Sequence, residues 1–397
     1  MQSTYRASNG EQTELRQSEL ERVGKFSIKR RLGEGGFGTV YLASQSEPVK
    51  RDVAVKIIKL GMDTEEVLAR FRAEQQALAS LDHPNIAKVF DAGLTDEGRP
   101  YFVMEFIKGD GLLSYCDRNH LVLTERLQLF LQLCDAVAYA HQRGIIHRDL
   151  KPANILVAEH SSKPIPKVID FGVAKAMSGS AQGMTLLTGE NQLIGTPAYM
   201  SPEQSMGSED IDVRSDVFAL GVILFQLLTD ATPLDAKTTR KTSREEVLRR
   251  IREDDSPRPS TFLRRIPRDR LAEISMRRQQ SPKGLYRQVR GDLDWVAVKA
   301  LARERDRRYH TPLHLADDIK RVLRHRSIEA RPPSIGYLTK KFIRRNRVAC
   351  ALAGITGAGI LVGVGGIVAG AKAEKRQALL VQEEAKKSRA LSSTLNE

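Results

Sequence analysis

The chain has 397 residues, 41% hydrophobic and 28% charged, with 63 Lys and Arg against 49 Asp and Glu and a net charge of +14. The length admits roughly two to three domains of about 150 residues, and the apolar share excludes wholesale disorder. Cys116, Cys134 and Cys350 lie far apart without a CxxC or Cys/His pair, which excludes a disulfide-built scaffold and argues against a zinc site.

In chain order, residues 1–25 are polar, lack the apolar core of a signal peptide, and read as a disordered or loosely helical tail. From Phe26 to Phe106 the pattern is mostly strand. FSIKRRLGEGGFGTVYLA predicts a hairpin closed by glycines, DVAVKIIKL alternates and is β-branched, and IAKVFDAG and PYFVMEFI predict two further strands. Asp63 to Leu81 predicts a helix through Val67, Leu68, Phe71, Leu78 and Leu81. After Gly109 the pattern turns helical. Thr124 is the expected N-cap of a helix that keeps Leu127, Phe130, Leu131, Cys134, Val137, Ala138 and His141 on one face, with Gly144 as its stop. Val213 to Leu228, Asp292 to Leu301 and Leu313 to His325 are further predicted helices. Lys237 to Arg290 holds 17 Lys/Arg against 7 Asp/Glu, rich in Pro and Ser without interleaved aromatics, and reads as a solvated insert.

Lys320 to Arg347 holds 10 Lys/Arg against one acidic residue and ends in LTKKFIRRNR. Directly behind it, Val348 to Ala371 runs 24 residues without a charge and with seven glycines. At about 1.5 Å per residue it reaches about 36 Å, enough for a hydrocarbon core of about 30 Å with some tilt. A single membrane span is expected. Five Lys/Arg fill the ten residues before it and only Lys372, Lys375 and Arg376 follow closely, which keeps the N-terminal side in the cytoplasm. The basic strip is also suited to anionic headgroups. Gly359/Gly363 and Gly366/Gly370, four apart, permit two spans to approach as a homodimer, although seven glycines give that spacing by chance as well. Residues 372–397 predict a short charged helix beyond the membrane.

Several short motifs carry chemistry. GEGGFG, Gly33 to Gly38, lies between two predicted strands rather than before a helix, which disfavours a dinucleotide fold and suits a β-turn closing over ATP phosphates. VAVK places Lys56 on the next strand, where a buried charge needs a carboxylate partner, and Glu74 is the natural candidate. In HRDLKPAN, Asp149 is suited to accept a hydroxyl proton, Lys151 to neutralise a transferring phosphoryl group and Asn154 to ligate a metal. Asp170 of DFG is a hard ligand for Mg²⁺, and GTPAYMSPE closes the series at Glu203. Any one of these arises by chance, but chance does not account for all of them in this order.

The series resembles the eukaryotic-type protein kinase family over about Phe26 to His325. The resemblance implies an α+β, two-lobe protein-kinase-like fold, with a β-rich N-lobe and a helical C-lobe, followed here by one transmembrane helix. The expected organisation is a tail (1–25), a kinase domain (26–326), a basic juxtamembrane segment (327–347), the span (348–371) and an extracytoplasmic tail (372–397). It also implies ATP and Mg²⁺ as cofactors. The nucleotide loop would be Leu32, Gly33, Glu34, Gly35, Gly36, Phe37, Gly38, Thr39 and Val40, with Ala54, Lys56, Met104, Glu105 and Leu156 completing the nucleotide site. Lys56 would hold the α/β-phosphates while pairing with Glu74. Asp149 would be the catalytic base beside Lys151, and Asn154 and Asp170 the metal ligands. Met104 would be the gatekeeper before a hinge at Glu105 to Ile107, Glu203 would pair with Arg308, and Asp216 would buttress the catalytic loop. Ser201 stands where the family usually has Ala.

KPAN with Lys151 and GTPAY with Thr196 resemble Ser/Thr rather than Tyr kinases. GMDTEEVLARFRAEQQAL, PAYMSPEQ, the insert near SPRPST and the span directly behind the domain resemble the membrane-anchored Ser/Thr kinases of bacteria. Such kinases often carry a further domain beyond the membrane, and with the sequence ending at Glu397 that domain is expected to be absent or cut from this copy. The expected function is transfer of the ATP γ-phosphoryl to protein Ser/Thr hydroxyls, with activation by autophosphorylation at Thr185 or Thr188 opposite Arg148. The alternative is a catalytically silent ATP-binding membrane scaffold, but such chains usually lose the equivalents of Lys56, Asp149 or Asp170. Nucleic acid is not an expected partner, because the charge lies in the insert and beside the span.

Overall fold

The computed structural model describes residues 21–35, 38–58, 75–161, 163–171, 197–208, 210–235 and 242–394. The chain divides into two units, Met1–Arg324 with Ile328–Pro332, and His325–Ser327 with Pro333–Glu397.

Among the described residues, six strands of the first unit form one antiparallel sheet in the order β1-β2-β3-β4-β6-β5. They are β1 (Arg22–Val23), β2 (Phe26–Gly35), β3 (Gly38–Gln45), β4 (Arg51–Ile58), β5 (Val89–Leu94) and β6 (Pro100–Glu105). The N-terminal tail is therefore shorter than expected, since Arg22 and Val23 pair with Ser27 and Phe26. Alternation in β4 and β6 decides what faces where. Val53, Val55 and Ile57 join Tyr101 and Val103 in a small cluster with Val23, Phe26 and Ala43. Ala54 and Ile58, with Phe102 and Met104, belong instead to the main core. Lys56 shares their side of β4, opposite Phe102, and so faces inward.

A second sheet, β7 (Gly109–Gly111), β8 (Ile155–His160) and β9 (Lys163–Val168), lies among helices. Helix α1 (Leu112–Arg118) follows β7, and α2 (Leu123–His141) crosses the core. The start of α2 is Val122, whose N–H donates to Glu125 Oε2 at 2.9 Å, two residues before the expected cap at Thr124. Nor is α2 apolar on one face alone. Leu129, Leu133, Ala136 and Ala140 are buried along with Leu127, Phe130, Cys134, Val137 and Ala138 of the expected set, because elements surround it, while Leu131 and His141 are half-buried. Gly144 adopts φ +73° just beyond its end, the left-handed conformation that glycine takes without a Cβ clash.

Helix α3 (Pro202–Ser205) is a single turn, and α4 (Val213–Thr229) is almost wholly buried. A Cβ on Gly221 of α4 would stand 2.9 Å from that of Ala300, so the glycine sets a close helix approach. The expected solvated insert is instead four ordered helices over much of its length: α5 (Arg244–Glu253), α6 (Pro259–Arg265), α7 (Arg268–Arg277) and α8 (Pro282–Val289). They bury Phe262, Leu263, Ile274, Leu285 and Val289. Helices α9 (Asp292–Ala300) and α10 (Pro312–Leu323) complete the unit.

The second unit holds α11 (Ile335–Arg345) and α12 (Arg347–Thr394). The expected span and the expected separate tail helix are one continuous helix of 48 residues. A stretch beginning at Val348 is long and apolar enough to cross a membrane, and its most apolar window is 0% buried.

Candidate active site

The loop between α2 and β8 carries Asp149. Lys151 Nζ donates to both its carboxylate oxygens, at 2.7 and 3.0 Å. Asn154 Nδ2 donates to the Asp149 carbonyl at 2.8 Å and to Oδ2 at 3.2 Å, which leaves the Asn154 amide oxygen for another partner. The Asp149 N–H donates to His147 Nδ1 at 3.3 Å, so the His147 Nε2–H faces the Ile169 carbonyl at 3.0 Å. The His147 ring also lies 4.7 Å from that of Phe171. The buried imidazole thereby joins the Asp149 loop to the segment carrying Asp170.

Arg148 and Asp170 both adopt positive φ, +66° and +62°. Such backbone costs about 1–3 kcal/mol per residue and persists only where its surroundings impose it. At Arg148, Asp216 in the first turn of α4 supplies that constraint. Its Oδ2 accepts the His147 N–H at 2.8 Å and its Oδ1 the Arg148 N–H at 2.9 Å, while His141 Nε2 lies 2.7 Å from Oδ2. Burial alone would push the Asp216 carboxyl up. The hydrogen bonds from His141 and the His147 amide outweigh it and hold the group below its usual range. From the other side, Gln204 Nε2 donates to the Arg148 carbonyl at 2.6 Å.

Lys56 Nζ lies 2.9 Å from Asp170 Oδ2, with side chains 8% and 19% exposed. Its expected partner Glu74 lies outside the described residues, as do Gly36, Phe37, Thr185, Thr188 and Thr196. The other loop positions form a ladder in which Gly33 faces Val40, Glu34 faces Thr39 and Gly35 faces Gly38, with Leu32 half-exposed beside them. Among the described residues, chain neighbours aside, no atom lies within 4 Å of where a Cβ would stand on Gly33 or Gly35, so the backbone there is open to a phosphate. On Gly38 the same atom would stand 2.2 Å from the Ile57 carbonyl oxygen, so no side chain fits. Ala54 and Met104 are paired neighbours on β4 and β6, both buried, and Leu156 is half-buried on β8. Glu105 ends β6 and accepts from Lys167 Nζ at 2.9 Å, which ties the first sheet to β9.

Among the described residues no group of three His, Cys, Asp or Glu could hold a metal. Mg²⁺ bound through one carboxylate, one amide oxygen and nucleotide phosphates needs no such group, and Asp170 with the open amide oxygen of Asn154 fits it.

Glu203 and Arg308 form the expected pair, two bonds of 2.7 and 2.8 Å between fully buried groups. Ser215 Oγ donates to Glu203 at 2.5 Å, and Arg308 also donates to the carbonyls of Ala302, Arg303 and Arg214. Burial raises the Glu203 carboxyl less than the Arg308 and Ser215 bonds lower it, so it stays below its usual range. Sequence reasoning gave no role to His141, His147, Ser215 or Gln204. His141 was indistinguishable from a core residue on its helix, while His147, beside Arg148 and Asp149, carried a positional signal.

A match to the protein kinase domain family covers residues 26–312. Pkn1, a serine/threonine-protein kinase of Myxococcus xanthus, is 36% identical over 290 residues, 72% of this chain and 37% of that one. PrkC, a serine/threonine-protein kinase of Bacillus subtilis, is 41% identical over 217 residues, 54% of this chain and 32% of that one. The chain thus spans less than half the length of these relatives. The crystal structure of the Mycobacterium tuberculosis PknI kinase domain superposes with a TM-score of 0.52 at 25% identity, covering 76% of this chain and 97% of that one. With the catalytic loop, the lysine strand and the Glu203–Arg308 pair all in place, the chain belongs to the protein kinase family, with bacterial Ser/Thr kinases among its relatives.

Proposed function

We propose that the chain transfers the γ-phosphoryl group of ATP to Ser or Thr hydroxyls of proteins, from the cytoplasmic face of a membrane to which one span anchors it. The observation that carries the reading is the Lys56–Asp170 contact of 2.9 Å, which brings the lysine strand to the segment that His147 ties to the Asp149 loop. In the reaction the substrate hydroxyl oxygen bonds to the γ-phosphorus, the bond from that phosphorus to the β–γ bridging oxygen breaks, and Asp149 takes the hydroxyl proton. Lys151, on Asp149, is placed to offset charge on the transferring group, and Lys56 to hold the α/β-phosphates. Asp170 and Asn154 would hold Mg²⁺, which supplies charge neutralisation on the phosphates. The names of the relatives and Lys151 support Ser/Thr as acceptors.

Membrane anchoring is supported by α12, where Val348, Leu352, Ile355, Leu361 and Val362 are 60–77% exposed, an arrangement suited to lipid rather than water. Activation by loop phosphorylation is supported by Arg148, whose buried Nε has no hydrogen-bond partner among the described residues. The test is phosphoryl transfer from labelled ATP by the purified full chain with Mg²⁺ and a generic protein substrate. Asp149→Asn and Lys56→Met should each lower the rate by at least about 100-fold, within the range general-base and electrostatic groups supply. Equal turnover by either variant would overturn the role given to that residue, and an inactive wild type that still binds ATP would turn the reading towards a silent scaffold.

A further inference from the structure

Between the catalytic unit and α12 the chain is pinned until shortly before α11. Asp318 on α10 accepts the N–H groups of Glu329 at 2.7 Å and Ala330 at 2.8 Å, together with the Tyr309 hydroxyl at 2.8 Å. Ile328 is buried in the main core. Only a few residues separate Ala330 from Ser334, which caps α11 by accepting the Tyr337 N–H. Helical geometry is interrupted once more at Asn346 (φ −113°, ψ 45°), and α12 begins at the next residue.

On α11, Leu338, Phe342, Ile335 and Ile343 fall within an arc of about 140° at 100° per residue, and they are 45, 54, 86 and 50% exposed. Lys341 and Arg345 flank that arc at its Leu338 edge, with the Arg345 guanidinium 5.9 Å from the Phe342 ring centroid. At that edge lies an open groove of about 390 Å³, lined by His325, Arg326, Lys341 and Arg345 with Leu338 and Phe342. All of these residues belong to the second unit. From Ser334 to Arg347 the sequence has five Lys/Arg and no acidic residue. A concavity lined by cations and apolar side chains together matches one chemistry, a phosphate headgroup continuing into acyl chains. Its position, directly before a helix suited to a bilayer, sets it at the level where headgroups lie.

We propose that this groove is a binding site for one anionic phospholipid, the headgroup phosphate meeting Arg326, Lys341 and Arg345 and the chains running along Leu338 and Phe342. The proposal rests on the membrane-anchored reading. The test uses the full chain in phosphatidylcholine vesicles containing trace spin-labelled phosphatidylglycerol or spin-labelled phosphatidylcholine. The measured quantity is the motionally restricted lipid fraction by electron spin resonance. Both labels should show a restricted component, and phosphatidylglycerol should be preferred by about fivefold or more, as expected for one or more basic contacts at a membrane surface. The preference should drop to near unity in Arg326→Gln/Lys341→Gln/Arg345→Gln, and should weaken in wild type as salt rises from about 0.05 to 0.5 M. It should persist in Lys372→Gln/Lys375→Gln. Absence of a restricted component for either lipid overturns the span itself. A restricted component without preference overturns only the lipid site. A preference that survives the triple substitution, or is lost with Lys372 and Lys375, places the selectivity elsewhere and overturns it too.

Discussion

A single carboxylate can hold an active-site loop in a conformation its own sequence disfavours. Asp216 does this by accepting two successive amide N–H groups, those of His147 and of Arg148, the latter at φ +66°. Asparagine is isosteric but presents one acceptor and one donor where two acceptors are needed. Asp216→Asn should therefore cost about 3–5 kcal/mol, the usual range for breaking a buried charged network, and should depress turnover more than ATP binding. Because the Asp216 carboxyl is held below its unfolded value, its stabilisation is complete above the unfolded pKa of about 3.9 and is lost as pH falls through the lowered folded value. Urea midpoints of wild type and variant should differ by a constant amount from about pH 5 to 7 and converge in stronger acid. A gap that widens in acid would reverse the assigned sign. Asp149, Lys151, Asn154 and Asp170 were legible in the sequence because each sits inside a short motif of fixed spacing. The partnership of His141 with Asp216 was not, because it joins residues 75 positions apart through a helix-on-helix contact.

At the scale of elements, period-two alternation carried the front sheet. VAVK alone places Lys56 on the same side as Ala54, and the register opposite β6 agrees. Reasoning from charge and composition failed between residues 237 and 290, where Arg-rich, Pro-punctuated sequence looked solvated. Much of that charge is answered locally or at long range. Arg277 bridges Asp117 at 2.5 Å and Asp230 at 2.9 Å. Arg278 is buried and donates to the carbonyls of Leu227 and Ile274, and burial pushes its guanidinium down to about 10. Composition records the charges but not their partners. The Glu203–Arg308 pair makes a comparable link between α3 and the segment after α9. Glu203→Gln leaves Arg308 buried with its charge unanswered and should lower stability by about 3–5 kcal/mol. Arg308→Lys, which loses the two-pronged contact, should cost a similar amount. Chemical denaturation of each single variant and of the double variant tests the link. If the double variant is destabilised by the full sum of the singles, the two residues are not acting as a pair.

Seen whole, the molecule joins a catalytic unit to a long apolar helix through a short, pinned connection, and this bears on activation. Pinning by Asp318 leaves little free chain between Ala330 and α11. If α12 anchors the chain as proposed, the unit meets other copies at a concentration set by the membrane, roughly mM for a short link between paired copies. Two geometries of pairing predict different behaviour. If the spans associate through Gly359/Gly363 and Gly366/Gly370, where nothing among the described residues lies within 4 Å of an added Cβ, autophosphorylation occurs within a standing pair. Its rate per molecule then stays constant as the full chain is diluted with excess lipid at fixed total protein. If copies merely collide, the rate falls in proportion to surface density. We expect the first behaviour, and expect Gly359→Leu/Gly363→Leu to convert it to the second by blocking close approach of the helices. Phosphate should be mapped by mass spectrometry at Thr185 and Thr188, the loop positions nominated to meet Arg148. Modification at neither threonine would remove the loop-phosphate model. Strict proportionality to surface density in wild type would leave the modification in place and eliminate span pairing as its cause.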